Sequence, residues 1–365
     1  MQITAFYLVC AVAIYCFSSN YLTTPKTHSL DDIVNRESNA YGLSIHPMRE
    51  ELYAELHSRP FQVLSSPARI SYLAVMLGAD HKQKEFEHFC RLYEHFQQRP
   101  PSQEGVCYEV DFGSLRVRRE KHLEFTSYMF INTQTNELIS PFASNALSAL
   151  PQDWLAALPG TIIAAFHIAV EDARTQPEPD LASVKLGFES MRLVGSRPQN
   201  GDAQVWTTFQ LHSDGCGRFL IYNKNMSDSQ LGRMVQRVVE IETYRLMALL
   251  GLPIARKYNA QLTKMDEQLA TTTARLSDSN EQLDEQALLA ELIDMAAWVE
   301  AARAQTTFRF SATNAYHDLV LKRLTELKED EVSGHLTITE FMTRRLTPAV
   351  RTCKATGDHL ENLSR

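Results

Sequence analysis

The segment from His46 to Phe61, HPMREELYAELHSRPF, concentrates side chains that could exchange protons. Histidines and carboxylates are common general acids and bases, so the segment could carry the chemistry of a hydrolase. It is also typical of an amphipathic helix, because Pro47 suits a first helical turn and three apolar residues follow at four-residue steps: Met48, Leu52 and Leu56. The helical interpretation explains the stripe without chemistry and leaves His57 and Arg59 as candidate site residues.

A second charged group lies on one predicted helix, where Arg233, Arg237, Glu240 and Tyr244 follow at steps of four, three and four, with Glu242 beside them. Such a ladder usually stabilises its own helix or the docking of the next one. A functional role would require Glu240 or Glu242 to be buried without an arginine partner, where it could exchange a proton or hold a cation.

Arg309 lies between two phenylalanines in TTFRFSATNAY. An arginine in such company is expected to be buried and paired with a glutamate of the neighbouring helix. The predicted polar cluster therefore comprises six residues, each with a structural or a functional interpretation: His57, Arg59, Arg237, Glu240, Glu242 and Arg309.

Composition and motifs exclude several classes of function. The six cysteines include no CxxC pair, and the chain contains no GxGxxG, GxxxxGK[ST], HExxH or GxSxG motif. We therefore predict no cofactor and no metal site. Cys216 lies in a predicted hairpin turn, DGCG, but without an identifiable base it is a weak candidate nucleophile. The formal net charge of -8 argues against nucleic acid as a partner.

The pattern of elements predicts an α+β fold. A strand from Ala68 to Leu77 precedes a helix from about Asp80 to Gln98, in which His81, His88 and His95 are expected on a solvated flank. Short strands follow between Val106 and Lys224, which predicts an antiparallel-rich sheet with helices on one face. His167 and His212 are expected within strands, as packed or edge residues.

After Asp228 the chain is predicted to be helical, with a stop or kink at Gly251-Leu252-Pro253 and helices over about 281–305, 311–330 and 337–364. These helices would form a bundle or a coiled-coil stalk, which suits self-association or a protein partner. The predicted organisation is an apolar segment over 1–22, a linker over 23–43, a mixed domain over 44–227 and a helical region over 228–365. Residues 3–17 are uncharged and apolar, so segment 1–22 could be a membrane anchor or a non-native start.

Five motifs together resemble a family of bacterial membrane-anchored proteins, the domain-of-unknown-function family 3422. They are HPMREELYAELHSRPF, KHLEFTSY at 121–128, GRMVQRVVEIETYRLMALLGLPIAR at 232–256, FRFSATNAY at 308–316 and EFMTRRLTPAVRT at 340–352. The resemblance extends from about Ser44 to the end of the chain. It implies an N-terminal mixed domain, long helices and a C-terminal hydrophobic hairpin in the inner membrane, whereas this sequence ends at Arg365 without such a hairpin.

The resulting hypothesis is a membrane-associated, non-enzymatic protein that acts through oligomerisation or partner binding by its helical region, with its main body in the cytoplasm. A soluble cytoplasmic form is expected if the chain is truncated. Two alternatives remain. One is a module of an ion-coupled or divalent-cation transport system that uses Glu240 and Glu242, and the other is a hydrolase of unknown substrate that uses His57 or Arg59.

Overall fold

A computed structural model describes residues 43–55, 61–78, 81–133, 140–175, 180–277 and 285–364. The chain divides into two units, residues 1–57 and 58–365. In the first unit a short helix, α1 (Arg49–Glu55), lies within the predicted helical segment. Its side chains are exposed, including Leu52 and Tyr53. The predicted membrane segment, the linker, His57 and Arg59 lie outside the described residues.

Within the described part of the second unit, nine strands form one sheet in the order β2-β3-β4-β1-β5-β8-β7-β6-β9. All neighbouring strands pair antiparallel except β5 and β8, which are parallel, so the antiparallel-rich α+β prediction is confirmed. The strands are β1 (Ala68–Met76), β2 (Cys107–Asp111), β3 (Leu115–Lys121), β4 (Phe125–Asn132), β5 (Thr161–Asp172), β6 (Val194–Arg197), β7 (Ala203–Thr207), β8 (Gly217–Asn223) and β9 (Asp330–Glu331).

The helices of this unit differ in length and position. Three short or medium helices and a 3₁₀ turn lie between strands: α2 (Lys82–His95), the turn Ala146–Ala149, α3 (Gln152–Ala156) and α4 (Leu181–Gly187). Four long helices follow: α5 (Asp228–Leu249), α6 (Gly251–Ser277), α7 (Glu285–Leu327) and α8 (Ile338–Leu363). The break at Gly251 is confirmed. A second predicted break, between Gln305 and Ser311, is wrong, because Thr306 and Phe310 are buried in phase with the neighbouring turns and α7 continues through them.

Helices cover both faces of the sheet, which corrects the prediction of helices on one face. Ile70, Tyr72 and Ala74 of β1 pack in one core with α5, α7 and α8. Leu73 and Val75 point to the opposite face and pack in a second core with α2 and α3. Side chains alternate between the faces of a strand, so β1 serves both cores. The predicted domain boundary at Asp228 stays a prediction. In the structure, the sheet and the long helices contribute to one core.

Two histidine predictions are corrected by burial. His88 is buried rather than solvated, because its ring stacks on Trp154 and its Nε2 lies 2.9 Å from the Trp154 carbonyl oxygen. His81 and His95 are exposed, as predicted. His167 lies in β5 as predicted, but His212 is buried in the loop after β7 rather than in a strand.

A buried ion pair joins the sheet to α2. Arg119 of β3 and Glu85 of α2 have fully buried side chains, and the guanidinium donates to both carboxylate oxygens at 2.9 and 2.5 Å. The Tyr128 hydroxyl on β4 also donates to Glu85. Burial and the Glu85 charge raise the pKa of Tyr128, which keeps the phenol protonated as a donor. These bonds offset the cost of removing two charges from water.

A glycine sets the distance between α5 and the chain that enters β1. A Cβ atom at Gly232 would overlap the backbone carbonyl of Gln62, so only glycine permits this approach. The helix is fixed on its N-terminal side by a capping box, in which Ser227 and Gln230 each accept the other's backbone N–H. The two features determine where α5 crosses the sheet.

The substitution Gly232→Ala should therefore destabilise the protein by about 2–3 kcal/mol or more, because the added methyl group overlaps backbone that cannot rotate away. Denaturant unfolding followed by circular dichroism measures the change. Gly357→Ala in α8 is the matched control, since its Cβ would meet Phe310 at 3.4 Å, an ordinary contact. The control should gain about 0.5–1 kcal/mol from helix propensity. Equal effects of the two changes would contradict the assigned close approach.

Candidate functional site

A cavity of about 280 Å³ lies between the sheet and α5. This volume is close to the lower end of small-molecule sites, which span roughly 300–1,000 Å³. β1, β3, β4 and the segment leading into β1 form one wall, α5 forms the other, and Arg323 of α7 completes the lining. The polar and charged lining residues are Gln62, Tyr72, Arg118, Glu120, His122, Ser127, Gln236, Glu240, Thr243, Tyr244 and Arg323.

The sheet wall carries an ion pair within one strand. Residues two apart on a strand share a face, so Arg118 and Glu120 of β3 lie side by side. The Arg118 Nε donates to Glu120 Oε1 at 2.9 Å, and Nη2 donates to the same oxygen. His122 stacks on Phe125 with ring centroids 4.3 Å apart, and its Nε2 lies 3.2 Å from the Ser127 hydroxyl.

The helix wall carries a second ion pair, which joins two helices. Glu240 of α5 accepts from the Gln236 amide at 2.9 Å and from Arg323 Nε. Arg323 also donates to Glu326 at 3.1 Å, and Glu326 accepts from Arg237 at 3.4 Å. The alternating charges hold α7 against α5. Each lining carboxylate is therefore bonded to a guanidinium.

Gln62 stands out among the lining residues because its amide makes no hydrogen bond. Its side chain is buried, 8% exposed, and neither Nε2 nor Oε1 has a partner in the described structure. A buried polar atom without a partner costs about 1–3 kcal/mol. Tyr72 lies further along the same wall, and burial raises the pKa of its phenol, which stays protonated. The apolar part of the lining includes Leu64, Phe125, Met129, Ile131, Val235 and Val239.

The structure brings only part of the predicted polar cluster together. Glu240 lines the cavity, and Arg237 is linked to it through Glu326 and Arg323. Glu242 lies outside the lining, and Arg245 donates to both of its oxygens at 2.8 and 2.5 Å. The two glutamates that the ion-coupled alternative invokes are thus each bonded to a different arginine.

Arg309 is paired with a glutamate, but not with one on a helix. Its partner is Glu124 in the turn between β3 and β4, next to the His122 that lines the cavity. Burial, followed by the Glu124 charge, raises the pKa of Tyr316, whose ring stacks on Tyr244 of the lining. Arg309 is partly buried rather than fully buried, with its side chain 14% exposed, and the pair joins α7 to the β3–β4 turn.

Cys216 has an environment unsuited to a nucleophile. Burial raises the pKa of its thiol to about 11, so the thiolate is scarce at neutral pH.

Within the residues that the structure describes, no group of three or more His, Cys, Asp or Glu side chains is placed to hold a metal ion. Among the described helices, none is long and apolar enough to cross a membrane.

Sequence reasoning missed most of the lining, including Arg118, Glu120, Gln62 and Arg323. A signal was present for the first two: LRVRREKH alternates charged residues through a strand, although a strand covered on both faces is expected to be apolar. Gln62 and Arg323 gave no comparable signal, because isolated polar residues at element ends are normally solvated.

The fold and cavity define an α+β protein in which a cavity with a mixed polar and apolar lining lies between a sheet and its long helices. The family described as Protein of unknown function (DUF3422) matches residues 44–365, and the chain belongs to this family. Comparison with curated proteins and with solved structures finds no match.

Replacing Gln62 by methionine should leave the stability of the protein unchanged or raise it by about 1 kcal/mol, because two unbonded buried atoms are removed while the shape is kept. Denaturant unfolding measures the effect. The companion change Gln236→Met should instead cost about 0.5–1.5 kcal/mol, since it removes the bond to Glu240. A loss of more than 1 kcal/mol in Gln62→Met would indicate that the amide has partners and would remove its distinction from Gln236.

Proposed function

We propose that this protein binds a small molecule in the cavity between the sheet and α5. The observation that carries the proposal is the combination of two ion-paired walls, apolar side chains on both walls and the unbonded Gln62 amide around one space. Ligand sites commonly combine an apolar surface with a few placed polar groups in this way. The ligand would supply hydrogen-bond partners for the Gln62 amide.

Binding without turnover is the version of this function that the site favours. The two lining carboxylates, Glu120 and Glu240, are occupied as acceptors of arginine donors. A general base needs a lone pair that is within reach of the substrate proton. The hydrolase alternative depends on His57 and Arg59, outside the described residues, and stays a prediction. The ion-coupled alternative and membrane association through residues 1–22, with the main body cytoplasmic, likewise stay predictions.

A cavity-filling substitution tests the proposed function. Val239 is buried on α5 and lines the cavity, so Val239→Phe should occupy part of the space. Compounds that bind the unmodified chain in a thermal-shift screen of small polar metabolites should lose at least tenfold in affinity in this variant, measured by calorimetry. Val63→Phe, the same change at a valine that is 52% exposed and outside the lining, is the control. A screen without any binder, or binders unaffected by Val239→Phe, would refute the proposal.

A second candidate function, self-association through the helical region, is favoured by an apolar stripe on α7. Six apolar residues recur at three- and four-residue steps, all exposed: Leu289, Ile293, Ala297, Ala301, Ala304 and Phe308. The partner we propose is a second copy of this chain, packed antiparallel. If the twofold axis passes between Trp298 and Val299, Phe308 of one copy lies level with Leu289 of the other. Ile293 of one copy then lies level with Ala304 of the other, so that a large side chain meets a small one.

Self-association predicts a dimer for the full chain in size-exclusion chromatography with light scattering. Ile293→Glu should shift it to the monomer, because it places a charge in the middle of an apolar contact. Lys322→Glu changes an exposed charge on the same helix outside the stripe and should leave the mass unchanged. A monomer for the unmodified chain at micromolar concentration would rule out this candidate and leave the cavity proposal untouched.

A further inference from the structure

The charges around the cavity restrict the charge of its ligand, an argument that rests on the proposed function. Arg118 is bonded to Glu120, and Arg323 is bonded to Glu240 and Glu326. The two walls therefore present pairs of opposite charges rather than a surplus of one sign. A ligand with a net charge would have to break one of these pairs and leave its partner uncompensated in a partly buried space. A neutral ligand needs no such rearrangement.

Gln62 restricts the edge that the ligand presents. A carboxamide offers two N–H donors and one carbonyl acceptor side by side, and in the described structure all of them lack partners. A carboxylate could accept from Nε2 but would repel Oε1, whereas an ammonium would do the reverse. The group that satisfies both atoms at once carries a donor and an acceptor next to each other, as amides do.

The remaining lining restricts the body of the ligand. Val235 and Val239 on α5 face Met129 and Phe125 on β4 across the cavity, so an apolar ring or chain fits between them. The Ser127 and Tyr72 hydroxyls also line the cavity, and the Ser127 hydroxyl lies 3.2 Å from His122 Nε2. Burial raises the pKa of Tyr72, which keeps that phenol a hydrogen-bond donor at physiological pH.

We infer that the cavity binds a neutral molecule that combines an apolar body with an amide-like edge, the chemical class that includes lactams and heterocyclic bases. Gln62 forms hydrogen bonds with the amide-like edge. Val235, Val239, Met129 and Phe125 contact the apolar body.

The test uses ε-caprolactam and ε-caprolactone, two rings of nearly equal size and shape. The lactam has an adjacent N–H and C=O, whereas the lactone lacks the N–H donor. Binding to the full chain is measured by ligand-observed NMR titration, with cyclohexanecarboxylate and cyclohexylamine as charged probes. We expect the lactam to bind at least tenfold more tightly than the lactone and than either charged ring, because the lactone leaves Gln62 Oε1 without a donor.

Two variants assign that preference to Gln62. Gln62→Met should bring lactam and lactone to within about twofold of each other. The control is Gln204→Met, a change at another buried glutamine with an unbonded oxygen, on β7 outside the lining, and it should keep the preference. If Gln62→Met still prefers the lactam over the lactone, Gln62 is not the residue that recognises the amide edge.

Other outcomes separate this inference from the function on which it rests. Equal binding of all four rings, or tighter binding of a charged ring, with affinity still lost in Val239→Phe, overturns the ligand class and leaves the cavity as a binding site. If none of the four rings binds and the metabolite screen also finds no compound sensitive to Val239→Phe, both the class and the proposed function fall.

Discussion

The structure depends on β3, a strand whose charged side chains are buried on both faces of the sheet. In β3, alternate residues point to opposite faces of a sheet that helices cover on both sides, so Arg118 and Arg119 enter different environments. Each needs a carboxylate, because an unpaired buried charge costs several kcal/mol. Arg119 finds Glu85 and thereby fixes α2, whereas Arg118 finds Glu120 on its own strand and becomes part of the cavity wall. Because side chains of β3 alternate between the two faces, Arg119 binds α2 on one face and Arg118 contributes to a polar surface on the other.

The position of α5 converts that polar surface into an enclosed space. Gly232 lets the beginning of α5 touch the backbone at Gln62, in the segment that leads into β1. Further along, Val235, Val239 and Thr243 face the sheet across the cavity. Arg323 adds the tie between α5 and α7. The space is therefore bounded by one close contact and one ion-pair network.

Sequence patterns predicted the elements well and their assembly less well. The strand runs, the Gly251 break and the family resemblance were correct, because periodicity and turn residues act locally. The predictions that helices cover one face of the sheet and that α7 is interrupted were wrong. Both features depend on which elements a helix packs against in the folded protein. Of the predicted polar cluster, Glu240 lines the cavity, whereas Arg237 and Arg309 lie outside its lining. Gln62 and Arg323 were missed, because they reach the cavity through elements far apart in sequence from the other lining residues.

The smallest strand has a consequence for synthesis of the chain. β9 comprises only Asp330 and Glu331, yet it pairs with Ser196 and Arg197 of β6 and thereby adds the last strand to an edge of the sheet. Chains emerge from the ribosome N-terminus first, so strands β1 to β8 appear before α7 and β9. The β6 edge must therefore wait without its last partner while more than a hundred residues after β8 are made. Among the lining residues Arg323 is the last to be synthesised, so the cavity is complete only after α7 has been made.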